Sequence, residues 1–124
     1  MDQTNQSADE KLIDLTQLKL ISRGNKQFIQ KMLLLFTSLG PKSMISFNNY
    51  LAEANWQKIG DLAHSLKPTI DTLGIISLQS PIRKLEKIAK TDENKKEIMD
   101  LTNEVIFHLQ LALDEAKIVL QKMK

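Results

Sequence analysis

Apolar residues recur every three or four positions along most of the chain, a spacing typical of helices that bury one face. The first ten residues are almost entirely polar. We therefore predict a flexible N-terminus over residues 1–10 and a single domain over residues 11–124. A short helix is predicted over about residues 13–22, with Gly24 ending it.

A long helix is predicted to follow Asn25, its N-cap, and to stop near Asn55. Its buried face is predicted to carry one apolar row: Phe28, Met32, Leu35, Phe36 and Leu39. Pro41 lacks an N–H group, so the sequence predicts that this helix is kinked or split there.

A third helix is predicted over residues 56–73, with Asn55 as its N-cap and Gly74 at its C-terminal end. The fourth covers roughly residues 75–90, or begins only at Ser80 and Pro81, which have the order of an N-cap followed by proline at the first helical position. Its buried row is predicted to contain these residues: Leu78, Ile82, Leu85 and Ala89.

The last helix is predicted to begin after Asn94, which has capping-box spacing to Glu97. Its core row is predicted as follows: Ile98, Leu101, Val105, Leu109, Ala112, Ala116, Val119 and Met123. A second apolar row, Phe107, Leu111 and Ile118, lies on nearly the opposite side. Either the leucines of the short N-terminal helix cover this second row, or it forms a partner or dimer surface.

Short connections between long helices favour antiparallel neighbours. The predicted fold is therefore all-α: an antiparallel up-down four-helix bundle with a short extra N-terminal helix. Composition agrees, since Leu and Ile dominate the apolar residues, Val occurs only twice, and Gly and Pro number 4 and 3.

The absence of cysteine excludes disulfides, a thiolate zinc site and a cysteine nucleophile. No apolar run approaches the roughly 20 residues that span a bilayer, and the polar start is not a signal peptide. A net charge of +2 is too balanced to indicate nucleic-acid binding. We expect a free-standing, cytoplasmic, monomeric protein with no membrane or nucleic-acid partner.

The chain has two histidines, His64 and His108. On a helical wheel, His64 lies about 150° from the centre of the apolar arc of the third helix, so it is predicted to face solvent beside Lys67. From spacing alone, an idle surface histidine is the favoured interpretation, because a helical His-x-x-Lys is common by accident. His108 falls at the edge of the apolar face of the last helix, where a partly buried structural role is predicted.

We predict no metal site and no bound cofactor. A carboxylate-bridged metal bundle needs Glu-x-x-His pairs on two helices, whereas Asp61 and His64 form a single pair. The sequence also has no glycine-rich phosphate loop and no serine nucleophile elbow.

The stretch from Ala63 to Gly74, AHSLKPTIDTLG, resembles the signature of histidine-containing phosphotransfer domains. In that family a histidine is followed by lysine at +3, usually glycine at +4, and glycine at +10. His64, Lys67 and Gly74 match in residue and spacing, and the resemblance extends over about residues 12–122.

The resemblance implies a carrier in a two-component phosphorelay. His64 would accept a phosphoryl group from the aspartate of one receiver domain and pass it to another, while Lys67 offsets the charge on the phosphoryl oxygens. The partners would be receiver domains of a hybrid sensor kinase, a response regulator or both. The Mg²⁺ ion would be bound by the receiver. The chain would have no ATP-dependent kinase activity of its own.

Two residues depart from the family pattern. Pro68 stands where glycine is usual, and it cannot donate to the His64 carbonyl, so a local kink is predicted. Asp71 lies on the same face about 10 Å along the helix and is predicted to contribute to partner specificity. The predicted docking residues are these: Gly60, Asp61, Pro68, Asp71 and Gly74.

In related domains a polar side chain on the adjacent helix orients the histidine. Gln79, Arg83 and Glu86 are candidates, and the sequence does not choose among them. The alternative function is a helical adaptor that docks a receiver without carrying phosphate. An enzyme of another kind ranks third, because the candidate histidine lies on a convex face rather than in a pocket.

Overall fold

A computed structural model describes residues 12–91 and 93–123, and within them the chain is helical apart from connections and one isolated bridge. The helices are α1 (Thr16–Ser22), α2 (Lys26–Ala52), α3 (Trp56–Thr72), α4 (Ile76–Thr91) and α5 (Lys95–Lys122). The all-α prediction is confirmed. The flexible N-terminus predicted over residues 1–10 lies outside the described residues. None of the described helices is long and apolar enough to cross a membrane.

Asparagine side chains cap three of the helices, as the sequence predicts. The caps are Asn25 on the amide of Phe28, Asn55 on the amide of Lys58, and Asn94 on the amide of Glu97. Each side-chain oxygen satisfies a backbone N–H that has no partner inside the helix. These contacts fix where α2, α3 and α5 begin.

Prolines lie inside three helices without ending them. Pro41 lies within α2, so the predicted split of that helix is wrong. Pro81 lies inside α4, which begins at Ile76, so a start at Ser80 is also wrong. Helix α3 likewise continues through Pro68, and the kink predicted there does not interrupt it. Proline lacks the backbone N–H that would donate to the carbonyl four residues earlier. The helix can nevertheless continue when the residues on both sides of the proline pack against the rest of the protein.

The buried face of α2 differs from the predicted one. Its buried residues are Ile29, Leu33, Phe36, Gly40, Ser43 and Phe47. Phe28, Leu35 and Leu39 of the predicted row are exposed. Apolar residues lie on more than one side of α2, so periodicity alone does not choose the face. The close approach of α5 decides which face of α2 is buried, since a Cβ at Gly40 would lie 2.6 Å from Cδ2 of Leu113.

Helices α2 to α5 pack in a closed circuit around one core. The most extensive contacts join α3 to α4, followed by α2 to α5, and α4 to α5 and α2 to α3 complete the circuit. The short α1 packs on α2. This arrangement is compatible with a four-helix bundle plus a short N-terminal helix. The predicted core row of α4 is confirmed, since all four of its residues are buried.

The core row predicted for α5 is buried from Ile98 to Ala116, and Val119 and Met123 are partly buried. The second row of α5 remains largely exposed: Phe107 is 61% and Ile118 is 52% accessible. The alternative in which the N-terminal helix covers this row is therefore wrong for these two residues. That helix packs on α2. The chain before it meets α5 at Glu115, whose carboxylate accepts hydrogen bonds from Leu12 N and Ile13 N, both at 3.0 Å.

The segment before α1 is tied to the turn between α3 and α4. Ile13 forms an antiparallel bridge with Ile75, which explains why α1 starts at Thr16 rather than near Ile13. Asp14 N donates to Gly74 O at 2.9 Å. Gly74 has a φ of +60°, and a Cβ there would lie 2.0 Å from the Asp14 carbonyl oxygen. Only glycine meets both demands.

We predict that Gly74→Ala destabilises the fold far more than Gly24→Ala. Both positions have positive φ, so alanine costs about 1 kcal/mol of backbone strain at each. Nothing lies within 4 Å of a Cβ at Gly24, whereas at Gly74 the Asp14 backbone must move. An extra loss of about 2 kcal/mol is expected for Gly74→Ala, measured by urea unfolding. Equal losses in the two variants would contradict this packing role.

Candidate functional site

Helix α3 presents His64 on its exposed side. The buried residues of this helix include Ile59, Ala63, Leu66 and Ile70, which face the core. His64 lies on the other side, with 66% of its side chain accessible. The prediction that His64 faces solvent is confirmed.

A glycine lets α4 come close to the helix that carries His64. Gly60, one turn before the histidine, is buried, and a Cβ there would lie 3.2 Å from the Cβ of Ala89 and 3.7 Å from the Glu86 carbonyl oxygen. A larger residue would push the two helices apart. Gly60 and Ala89 are both small, and their close contact brings Glu86 beside His64.

Glu86 is the side chain on the adjacent helix that contacts the histidine. Its Oε2 lies 2.6 Å from Nδ1 of His64. Arg83, another candidate, donates instead to the backbone carbonyl of Gln79 and to the carboxylate of Asp71. The structure thus selects Glu86 from the three residues that the sequence left open.

Two lysines share the Glu86 carboxylate with the histidine. Lys67 Nζ lies 2.7 Å from Oε1, and Lys90 Nζ lies 3.3 Å from Oε2. The Glu86 side chain is only 12% accessible. The hydrogen bond from Lys67, followed by those from His64 and Lys90, lowers the pKa of Glu86 to about 2 against the opposing effect of burial. Glu86 is therefore ionised at neutral pH.

An ionised carboxylate only accepts hydrogen bonds, so Nδ1 of His64 must donate to Glu86. In a neutral imidazole the proton on Nδ1 leaves a lone pair on Nε2. The Glu86 contact therefore fixes both the ring orientation and the tautomer, and it directs the nucleophilic nitrogen away from α4. This arrangement can attack an electrophile that approaches from solvent.

Asp71 forms an ion pair with Arg83. The Asp71 carboxylate raises the pKa of Arg83, mainly through their hydrogen bond. The negative charge that Asp71 would present on the histidine face is thus balanced by a neighbouring guanidinium. The predicted role of Asp71 in partner specificity stays a prediction, and Arg83 would share it.

The remaining residues predicted for docking divide into exposed and buried pairs. Asp61 and Pro68 are exposed on α3. Gly60 and Gly74 are buried, and each allows another segment of the chain to come close. Their place in a docking surface stays a prediction, but the packing already requires glycine at Gly74 and favours it at Gly60.

His108 is partly buried, as predicted, and its ring and that of Phe107 are nearly perpendicular with their centroids 5.4 Å apart. Within residues 12–91 and 93–123, no group of three or more His, Asp or Glu side chains is placed to hold a metal ion.

Sequence reasoning missed Lys90. Its i, i+4 spacing from Glu86 on one helix was the signal that could have found it.

No protein-family model, no curated protein and no solved structure matches this chain.

We predict that Glu86 makes the stability of the protein sensitive to acid. Its folded-state pKa of about 2 lies below the ordinary value of 4.5, so its ionised form contributes stability above pH 4.5. That contribution disappears as the pH falls from about 4.5 toward 2. Urea unfolding should show wild type more stable than Glu86→Gln near neutral pH, with the difference shrinking in acid.

The matched control is Glu104→Gln, which removes an exposed carboxylate from α5. We expect its difference from wild type to be small at both pH values. A difference between wild type and Glu86→Gln that stays constant, or grows, as the pH falls would contradict the proposed ion cluster.

Proposed function

We propose that this protein is a histidine phosphotransfer carrier that accepts a phosphoryl group on Nε2 of His64 from the aspartate of a receiver domain and passes it to another receiver. The observation that carries this proposal is the contact of the exposed His64 ring, through Nδ1, with the ionised Glu86. The similarity of residues 63–74 to the phosphotransfer signature supports it as a resemblance.

The chemistry needs little from this chain beyond a positioned nucleophile. The Nε2 lone pair of His64 attacks phosphorus in the aspartyl phosphate, an N–P bond forms, and the O–P bond breaks to release the receiver's carboxylate. Nδ1 keeps its proton, and Glu86 stabilises the positive charge that develops on the ring. The Mg²⁺ ion expected in this reaction belongs to the receiver.

Lys67 is placed to bind the phosphoryl group once the group has reached His64. Its ammonium group is bound to Oε1 of Glu86 at 2.7 Å, and its side chain is 28% accessible. Because Lys67 lies one turn from His64 on the same helix, rotation of its side chain can bring the ammonium group to the phosphoryl oxygens. Lys90 remains on Glu86 when this happens, so the carboxylate is not left without a cation.

The helices that frame this site are proposed to run up and down in antiparallel pairs. Contacts between residues support this direction in two pairs. In α2 and α5, Gly40 meets Leu113 while Gln30 donates to the carbonyl of Met123. In α3 and α4, Gly60 meets Ala89 while Asp71 pairs with Arg83. In each pair, moving forward along one helix means moving backward along the other.

A second candidate is an adaptor that docks a receiver without carrying phosphate. Two observations favour it: Pro68 stands where the phosphotransfer signature usually has glycine, and Lys67 is already engaged by Glu86. Such an adaptor would use the same convex face but would not need the nucleophilic nitrogen.

We predict that phosphoramidate adds one phosphoryl group to the protein, detected by intact mass and phosphorus NMR. The adduct should be labile in acid and stable in base. His64→Gln should abolish it, because the only solvent-facing imidazole is lost, whereas the control His108→Gln should retain it. An adduct that survives in His64→Gln, or none on the folded wild-type protein, would contradict the carrier and favour the adaptor.

A further inference from the structure

We infer that Glu86 keeps a proton on Nδ1 of His64 while the phosphoryl group occupies Nε2, so that the N–P bond stays ready for transfer. This inference rests on the proposed phosphotransfer function and concerns the state after the group has arrived. In that state the ring has substituents on both nitrogens and carries a positive charge. The question is whether the proton stays or is lost to solvent.

The geometry favours retention of the proton. Nδ1 lies 2.6 Å from Oε2 of a carboxylate that is 12% accessible, so on the Glu86 side the hydrogen bond is largely shielded from water at the junction of α3 and α4. Hydrogen bonds to an ionised acceptor are short and stronger than neutral ones. Loss of the proton would leave the carboxylate facing a lone pair on the ring.

The charges around the carboxylate decide how firmly it holds this proton. Lys67 from α3 and Lys90 from α4 both compete with the ring for Glu86. Arg83 of α4 is engaged by Asp71 of α3, and Asp61 lies exposed one turn before His64.

Phosphorylation removes one of these competitors. When Lys67 turns toward the phosphoryl oxygens, its hydrogen bond to Oε1 of Glu86 is lost. The carboxylate then has one cation fewer, and its attraction for the ring proton rises. Arrival of the phosphoryl group therefore strengthens the contact that keeps the ring protonated.

Protonation matters because it sets the leaving group. When the N–P bond breaks in a ring that keeps its Nδ1 proton, the bonding electrons return to Nε2 and a neutral imidazole departs. A deprotonated ring would have to leave as an imidazolide anion, a far poorer leaving group. The acceptor carboxylate gains the phosphoryl group, and no proton has to be taken up in either direction.

The test is a pH titration of the phosphorylated protein, prepared with phosphoramidate and followed by phosphorus NMR. Glu86→Gln keeps the size of the side chain and can still accept a hydrogen bond, but it has no charge. We expect the titration midpoint of the phosphoimidazole to be lower in Glu86→Gln than in wild type by about one pH unit. At a pH above both midpoints, hydrolysis of the adduct should be about tenfold slower in Glu86→Gln than in wild type, because the protonated fraction is about tenfold smaller.

Lys90→Met separates this electrostatic role from a merely structural one. Removal of a competing cation should raise the midpoint, opposite in sign to the effect of Glu86→Gln. Loss of a structural support for Glu86 would lower it instead. Glu104→Gln, which removes an exposed carboxylate on α5, is the control and should leave the midpoint unchanged.

Each outcome decides the inference. Equal midpoints in wild type and Glu86→Gln would overturn it while leaving the carrier function intact. A midpoint unchanged or lowered in Lys90→Met would also overturn it, and this arm carries the test should Glu86→Gln accept no phosphoryl group. Failure of the folded wild-type protein to form phosphohistidine would overturn the proposed function and the inference together.

Discussion

A largely buried carboxylate must have hydrogen-bond donors or cations beside it, and this requirement determines the arrangement of the candidate site. Glu86 is 12% accessible, and its two oxygens are shared by a histidine and a lysine from α3 and a lysine from α4. The cost of burying the charge is offset only when these donors are held close. The orientation of His64, the resting position of Lys67 and the ionised state of Glu86 all follow from that one constraint.

The fold supplies the close approach that the carboxylate needs. Among the described helices, α3 and α4 share the most extensive contact, and a Cβ added at Gly60 would lie 3.2 Å from the Cβ of Ala89, so a larger residue there would force a shift at their junction. At the far end of the pair, Gly74 allows the chain before α1 to pair with the turn between the two helices. Gly60 and Gly74, one on each side of His64 along the chain, thus both act through packing.

The sequence predicted much of this, and the exceptions have physical causes. Helix identity, the asparagine caps and the outward direction of His64 depend on local periodicity and hydrogen bonding, which a single chain segment specifies. The buried face of α2 depends on how closely Gly40 lets α5 approach, and the choice of Glu86 over Gln79 and Arg83 depends on the Gly60 contact. The spacing of apolar residues within one helix does not predict such tertiary contacts between distant segments.

We propose that Glu86 holds the neutral His64 ring with its proton on Nδ1 and leaves Nε2 as the free nucleophile. The most direct test is nitrogen NMR of the ring in protein labelled with ¹⁵N-histidine, recorded at a pH where His64 is neutral. We expect a protonated, pyrrole-type signal for Nδ1 and an unprotonated, pyridine-type signal for Nε2. The opposite assignment, with the proton on Nε2, would overturn this role of Glu86, because the exposed nitrogen would then have no lone pair to attack phosphorus.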